Sequence, residues 1–241
     1  MSNRVSLSIL AALVLGVTSA HAQKAGKSNE PCGSVYTTSY GPYDYRIYKD
    51  RIEVQRVEQH HFTPLVEALI KPMFGKIFAP DFDYTLHTTP NHHRALASMT
   101  RNSLKLRNAH PEGARWSVDC YFVRGMSFAP DDYVVRMLYA DYLIKVGGRT
   151  ADALRHLDLV AANAGENAFT VYNSGLLYFD AKEFDKARTQ AQLAANLGLT
   201  WPALREKLLA AGQWAAGPAT SAPAVPPSPS SVNAPASAPG S

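Results

Sequence analysis

A recurrence of about 34 residues constrains this chain more than any other feature, because it limits how much structure each segment can complete alone. Ala153 and Ala187 stand 34 apart, as do Leu157 and Ala191, and Val160 and Ala194. One step upstream, Gly125 precedes Val160 by 35, and Pro130-Asp131 precedes Gly165-Glu166 by the same interval. Gly147-Gly148 accounts for the extra residue by widening the turn inside the middle copy. The last copy is the clearest. Tyr172-Asn-Ser-Gly-Leu-Leu-Tyr-Phe179 sets small Gly175 among aromatics, and Phe184-Asp-Lys-Ala187 with Ala194 supplies a second helix with small contact residues.

Each copy reads as a helix–turn–helix unit whose apolar face stays exposed until a neighbour stacks on it. Residues 168–201 resemble the tetratricopeptide repeat family: Asn173, Gly175, Tyr178, Phe184, Asp185, Ala187 and Ala194 fall where that pattern puts those types. Residues 133–167 match more loosely, keeping Ala140, Gly147 and Ala153 without the aromatic partners. Residues 90–132 keep the Phe128-Ala-Pro130 ending, but a long loop at 107–116 departs from the pattern. The resemblance implies an all-α fold, a right-handed superhelical stack of about three helical hairpins. Trp201-Pro-Ala-Leu-Arg-Glu-Lys-Leu-Leu-Ala210 is expected to cap it, with Pro202 in the first turn and Leu204, Leu208 and Leu209 facing inward.

Both ends lie outside that fold. Arg4, the apolar run of 11 residues at 7–17, and Ala20-His21-Ala22 predict a secretory signal peptide over 1–22, cleaved after Ala22. No later stretch is apolar enough to span a membrane, so the expected location is periplasmic or secreted. Residues 215–241 hold seven prolines and no charge, a composition expected to stay unfolded. Between these ends lie an arm at 23–89 without the repeat and a repeat region at 90–214. The net charge of +4 is too mild to call for nucleic acid. Cys32 and Cys120 are the only cysteines, and in an oxidising compartment they are expected to pair.

Tyr36, Tyr40, Tyr43, Tyr45 and Tyr48 crowd around the turn dipeptide Gly41-Pro42 in the arm. The alternation Ile52–Val54 suits a short strand, whereas Val54 and Val57 also suit a helix. Thr63-Pro64 predicts a capped helix start with Leu65, Val66, Leu69 and Ile70 inside. The arm is expected to pack over the first repeat. Together with Pro90-Asn-His-His-Arg-Ala-Leu96 it is similar to a group of exported bacterial repeat proteins, a likeness that implies a fold and no mechanism.

Three function classes remain, one of them an envelope spacer that rests only on the 215–241 tail. The repeat implies a protein–protein adaptor or scaffold for an envelope assembly or secretion system, with a protein or peptide partner, no cofactor and no catalytic residue. In the family register the first helix of each hairpin lines the partner groove. That places Asn91, Arg94, Ser98 and Arg101 in the first unit, Val134, Met137, Asp141 and Lys145 in the middle one, and Phe169, Tyr172, Asn173, Leu176 and Phe179 in the last. The alternative is a metal-binding protein using His60, His61, His92 and His93 with Glu58 or Asp83; His61, His93 and Glu58 are its first candidates. Glu58-Gln-His-His61 holds a Glu-x-x-His, the helical spacing of di-iron sites, but no second copy exists. Asp81/Asp83 and Asp131/Asp132 read as turn and helix-start residues.

Overall fold

The computed structural model describes residues 32–36 and 39–214; the expected leader at 1–22 and the expected tail at 215–241 lie outside them. The described residues form ten α-helices and no strand. They divide into two compact units at Asp131/Asp132.

In the first unit a 3-10 turn, Tyr48–Asp50, runs into α1 (Arg51–His61), followed by α2 (Pro64–Glu67), α3 (Ala79–Thr88), α4 (His93–Leu106) and α5 (Val118–Phe128). The strand option for residues 52–57 is thereby excluded. Helical spacing puts Val54 and Val57 on one buried face of α1, while Ile52 points to solvent. The core gathers Phe62, Val66, Phe82, Leu86, Leu96, Met99, Tyr121 and Phe122.

α2 starts at Pro64 as expected and stops after one turn. Leu69 takes a left-handed φ of 57°, and the Ile70 N–H donates back to the Leu65 carbonyl at 2.9 Å. That is the hydrogen-bond pattern of a glycine-type helix stop, built here on leucine. Only Val66 of the predicted inward set is buried; Leu65 and Ile70 are exposed. Thr63 makes no side-chain cap bond. Its hydroxyl lies 3.7 Å from Met73 Sδ instead.

The arm is held by bonds to the α3–α4 junction. Tyr43 N–H donates to the Thr88 carbonyl at 2.8 Å, Tyr45 N–H to Asn91 Oδ1 at 3.0 Å, and Asn91 Nδ2 to Asp44 Oδ1 at 2.8 Å. Gly41 is required there, since a Cβ would sit 2.6 Å from the Thr88 carbonyl oxygen. Cys32 and Cys120 are bonded, tying the arm to α5.

The second unit is two helical hairpins and a closing helix: α6 (Tyr133–Val146), α7 (Thr150–Asn163), α8 (Ala168–Asp180), α9 (Phe184–Asn196) and α10 (Ala203–Ala210). α6 packs on α7 and α8 on α9; α7 also meets α8, and α10 covers both α8 and α9. Small buried residues set the approach: Ala140 on α6, Ala153 on α7, Ala187 and Ala194 on α9. At Gly175 the approach is closest, because an added Cβ would lie 2.6 Å from Leu204 Cδ2 and 3.0 Å from Gln190 Cβ. In α10, Leu204 and Leu208 are fully buried and Leu209 is exposed, so the inward stripe has two leucines rather than three. Burial of each contributes about 1.5–3 kcal/mol. A helix this short shows one narrow face, and Leu209 lies about 100° round from Leu208.

Candidate functional site

The helix α8 presents the one aromatic surface that the predicted groove shares with the structure. Its N-cap Asn167 accepts from the Thr170 N–H at 3.0 Å, which fixes the first turn and hence the direction of Phe169. Phe169 is 56 % exposed and meets Trp201, itself 53 % exposed, edge to face at 5.4 Å. Tyr172 meets the same indole at 5.5 Å. Its ring is buried, and its hydroxyl accepts the Leu204 N–H at 3.1 Å, which satisfies the first turn of α10. Tyr172 is therefore a stacking residue with one polar tip, and Trp201 takes the exposed place beside Phe169. Asn173 is exposed one position on, Leu176 is half-buried, and Phe179 packs on Phe184 at 5.4 Å with Lys207 Nζ 5.1 Å from its ring.

The sequence marks Trp201 only as the start of a capping segment. Its helix-flanking position carries no periodic signal, and only its contact with Phe169 reveals the pair.

In α6, Met137 is buried rather than groove-lining. Asp141 and Lys145 form an i,i+4 ion pair at 2.6 Å, and Val134 is half-buried.

The predicted α4 face is occupied by the chain's own helices. Asn91 and Ser98 are fully buried. The Ser98 hydroxyl and Arg101 Nη2 both donate to the Glu67 carbonyl, at 3.1 and 2.8 Å, satisfying the last turn of α2. Arg94 forks onto the Glu67 carboxylate and also reaches Glu58 at 3.3 Å. The bond from Arg94 holds Glu67 below the usual carboxylate range. Arg94 and Arg101 are thus spent on α2, a consequence invisible to a register that assumes every first helix faces a groove.

The histidines separate. His92 is the N-cap of α4 and is completely buried: its Nδ1 accepts the Ala95 N–H at 3.2 Å, so its Nε2 carries the proton and donates to Glu58 at 3.0 Å. Burial lowers the His92 pKa despite that carboxylate, and the same bond lowers Glu58. His61 faces Asp81 at 3.7 Å and stacks on Tyr84 at 3.9 Å, with burial lowering His61 and raising Asp81. His93 packs edge-on to Tyr45, and His60 is exposed. The structure therefore does not bring His61, His93 and Glu58 together, and among the described residues no three His, Cys, Asp or Glu side chains are grouped to hold a metal ion.

Of the two acidic pairs, Asp131/Asp132 stands at a turn and a helix start as expected, and Asp81/Asp83 departs from that reading at Asp83, beyond the first turn of α3. Asp81 and Asp83 lie inside α3 and are buried. Asp81 accepts the Met73 N–H at 2.9 Å, and Asp83 accepts from the Tyr121 hydroxyl and from the Arg115 N–H at 3.1 Å. Asp131 pairs with Arg46, and Asp132 stands at the N-cap of α6 without a side-chain cap bond. Arg124, which the sequence did not single out, is fully buried over Trp116, with Cζ 3.8 Å from the ring centroid. Its Nη1 donates to the carbonyls of Cys32, Gly33 and Ser34 at 3.0–3.1 Å. This is structural chemistry, a clamp on the arm.

Compared with known proteins, the chain significantly matches no family model, no curated protein and no solved structure.

Proposed function

We propose that the protein is a tetratricopeptide-like adaptor acting outside the inner membrane, which binds an extended peptide or protein segment of the cell envelope through the outer face of α8. The observation that carries this reading is the exposed Phe169–Trp201 pair beside exposed Asn173. Rigid aromatics offer a large contact area at low entropy cost, and an adjacent carboxamide can pair with a partner's backbone. The 34-residue spacing, the hairpins α6/α7 and α8/α9, and the close contact at Gly175 support the repeat class. The Cys32–Cys120 bond is compatible with an oxidising, exported location.

The test is affinity capture from an envelope extract by the parent and by Phe169→Ala, Trp201→Ala and Asn173→Ala variants. A partner lost from these three and retained by an exposed-site control, Leu159→Ser, supports the reading. No captured partner, or capture indifferent to all three changes, overturns it. Tyr172→Ala is a poor probe, since that ring is part of the α8–α10 packing.

A further inference from the structure

The segment between α2 and α3, residues 68–78, exposes more large apolar side chains than its length can explain by packing. Ile70 is 69 % exposed, Phe74 65 %, Ile77 39 % and Met73 38 %, with Leu65 of α2 at 48 % and Leu106 at the end of α4 at 56 %. Isolated exposed residues need no explanation, but a run of them at one loop does.

The loop is anchored at its base. The Met73 N–H donates to buried Asp81 at 2.9 Å, the Thr63 hydroxyl meets Met73 Sδ, and Phe74 rests one edge near His61 with ring centroids 5.9 Å apart. Its tip is open: Gly75 has a φ of 69°, and nothing lies within 4 Å of where its Cβ would be. Exposed lysines bracket the tip, Lys71 before it and Lys76 after it. Beside it Leu69, Ile77 and Leu106 line one cavity of 360 Å³ with Lys76, Lys105 and Glu112. Counting Arg107 next to Leu106, four exposed cations face one exposed carboxylate.

We propose that this loop docks on an anionic lipid surface, with Ile70 and Phe74 entering the headgroup–acyl boundary and Lys71, Lys76 and Lys105 meeting the headgroups. Aliphatic and aromatic tips flanked by lysines bind such interfaces by apolar burial plus attraction to anionic lipid. Lysine stems cover apolar surface while their ammonium groups stay in the polar layer. A protein partner would be served by a packed surface; here the apolar side chains stand at an open tip among charges that are net positive, four cations to one carboxylate. The site is remote in sequence from Phe169 and Trp201 and does not depend on the adaptor reading.

Co-sedimentation with phosphatidylcholine vesicles, with and without phosphatidylglycerol, tests the proposal on protein lacking residues 1–22, so that the apolar leader contributes nothing. Binding is expected only with the anionic lipid and should weaken at high salt. Replacing Lys71 and Lys76 by Gln should reduce partitioning roughly 20- to 30-fold, at about 1 kcal/mol per lysine near an anionic surface. Ile70→Ser with Phe74→Ser should abolish it, and Phe74→Trp should show a blue-shifted emission on adding anionic vesicles. Since both side chains are exposed, thermal melts of the variants should match the parent. The proposal is overturned by absent partitioning, by partitioning equal in the serine variant, or by a concentration-dependent dimer that the serine variant dissolves, which would assign the patch to a second copy.

Discussion

Nε2 of His92 lies 3.0 Å from Oε1 of Glu58, linking the start of α4 to α1 across 34 residues of sequence. The other ring nitrogen accepts the Ala95 N–H, so protonating the ring would set two donors against each other at the cap. Burial lowers the folded pKa of His92 below 6.5, and His61 and His87 shift in the same direction for the same first cause. The unfolded chain then binds protons that the folded chain refuses, so stability is full above pH 6.5 and falls as the pH drops below it. Glu58, lowered from 4.5 by its His92 bond, adds a further loss at more acid pH. Thermal melts across this range should show a falling midpoint, by at most about 1.4 kcal/mol per pH unit per group. His92→Asn keeps an N-cap acceptor and should flatten the slope between pH values on either side of 6.5. An unchanged slope would leave the dependence to His61, His87 and His156, which burial lowers in the same way.

Arg124 supplies three carbonyl bonds and a face contact with Trp116 from a fully buried position. Arg124→Met keeps much of the volume and removes the donors. It should destabilise by roughly 3–5 kcal/mol in urea unfolding, since buried acceptors left without a donor cost about 1–3 kcal/mol and the desolvated cation–ring contact about 2.

The Cys32–Cys120 bond closes a loop with a sequence separation of 88. In the chain-entropy model reduction should lower stability by about 4–5 kcal/mol. Because Arg124 grips the same backbone, reductant alone should leave Cys32–Ser34 partly protected from protease. Reductant acting on Arg124→Met should expose it fully. Equal cleavage in the two reduced proteins would show that the guanidinium grip is dispensable.

Gly175→Ala tests the closest approach in the second unit. Alanine gains up to about 1 kcal/mol of helix propensity. Overpacking typically costs 1–3 kcal/mol. The added Cβ meets Gln190 Cβ at 3.0 Å as well as the tip of Leu204, which is fully buried and has little room to yield. We expect a net loss of about 1–2 kcal/mol by chemical denaturation. A stabilised variant would mean that α10 moves aside easily.

The Tyr121 hydroxyl donates to buried Asp83, and burial together with that carboxylate pushes the phenol above its usual pKa. Tyr121→Phe should cost about 1.5–3 kcal/mol, the range for a bond to a charged group. Wild-type stability in the variant would show that Arg115, through its N–H and its guanidinium 3.6 Å from the carboxylate, suffices for Asp83.

The sequence by itself determined the helical character of the repeat region, the starts of the last two hairpins, the small contact residues and the cysteine pairing. These are local or near-periodic properties. Gly175, Ala187 and Ala194 announce a close helix contact because only small side chains permit it, and a chain with two cysteines has one intramolecular pairing open to it. Tertiary structure decided which faces remain open. Arg94, Arg101 and Ser98 have the same register as groove residues, yet the Glu67 carbonyl and carboxylate take up their donors once α2 folds back on α4. His92 and Glu58 read as members of a metal cluster until a cap bond and a carboxylate contact use both ring nitrogens. Trp201 and Phe169 lie far apart in sequence and become a surface only when α10 settles on α8. Periodicity specifies an element and its apolar side. The fate of its polar side depends on donors and acceptors brought from distant segments, and spacing within one segment carries no record of them.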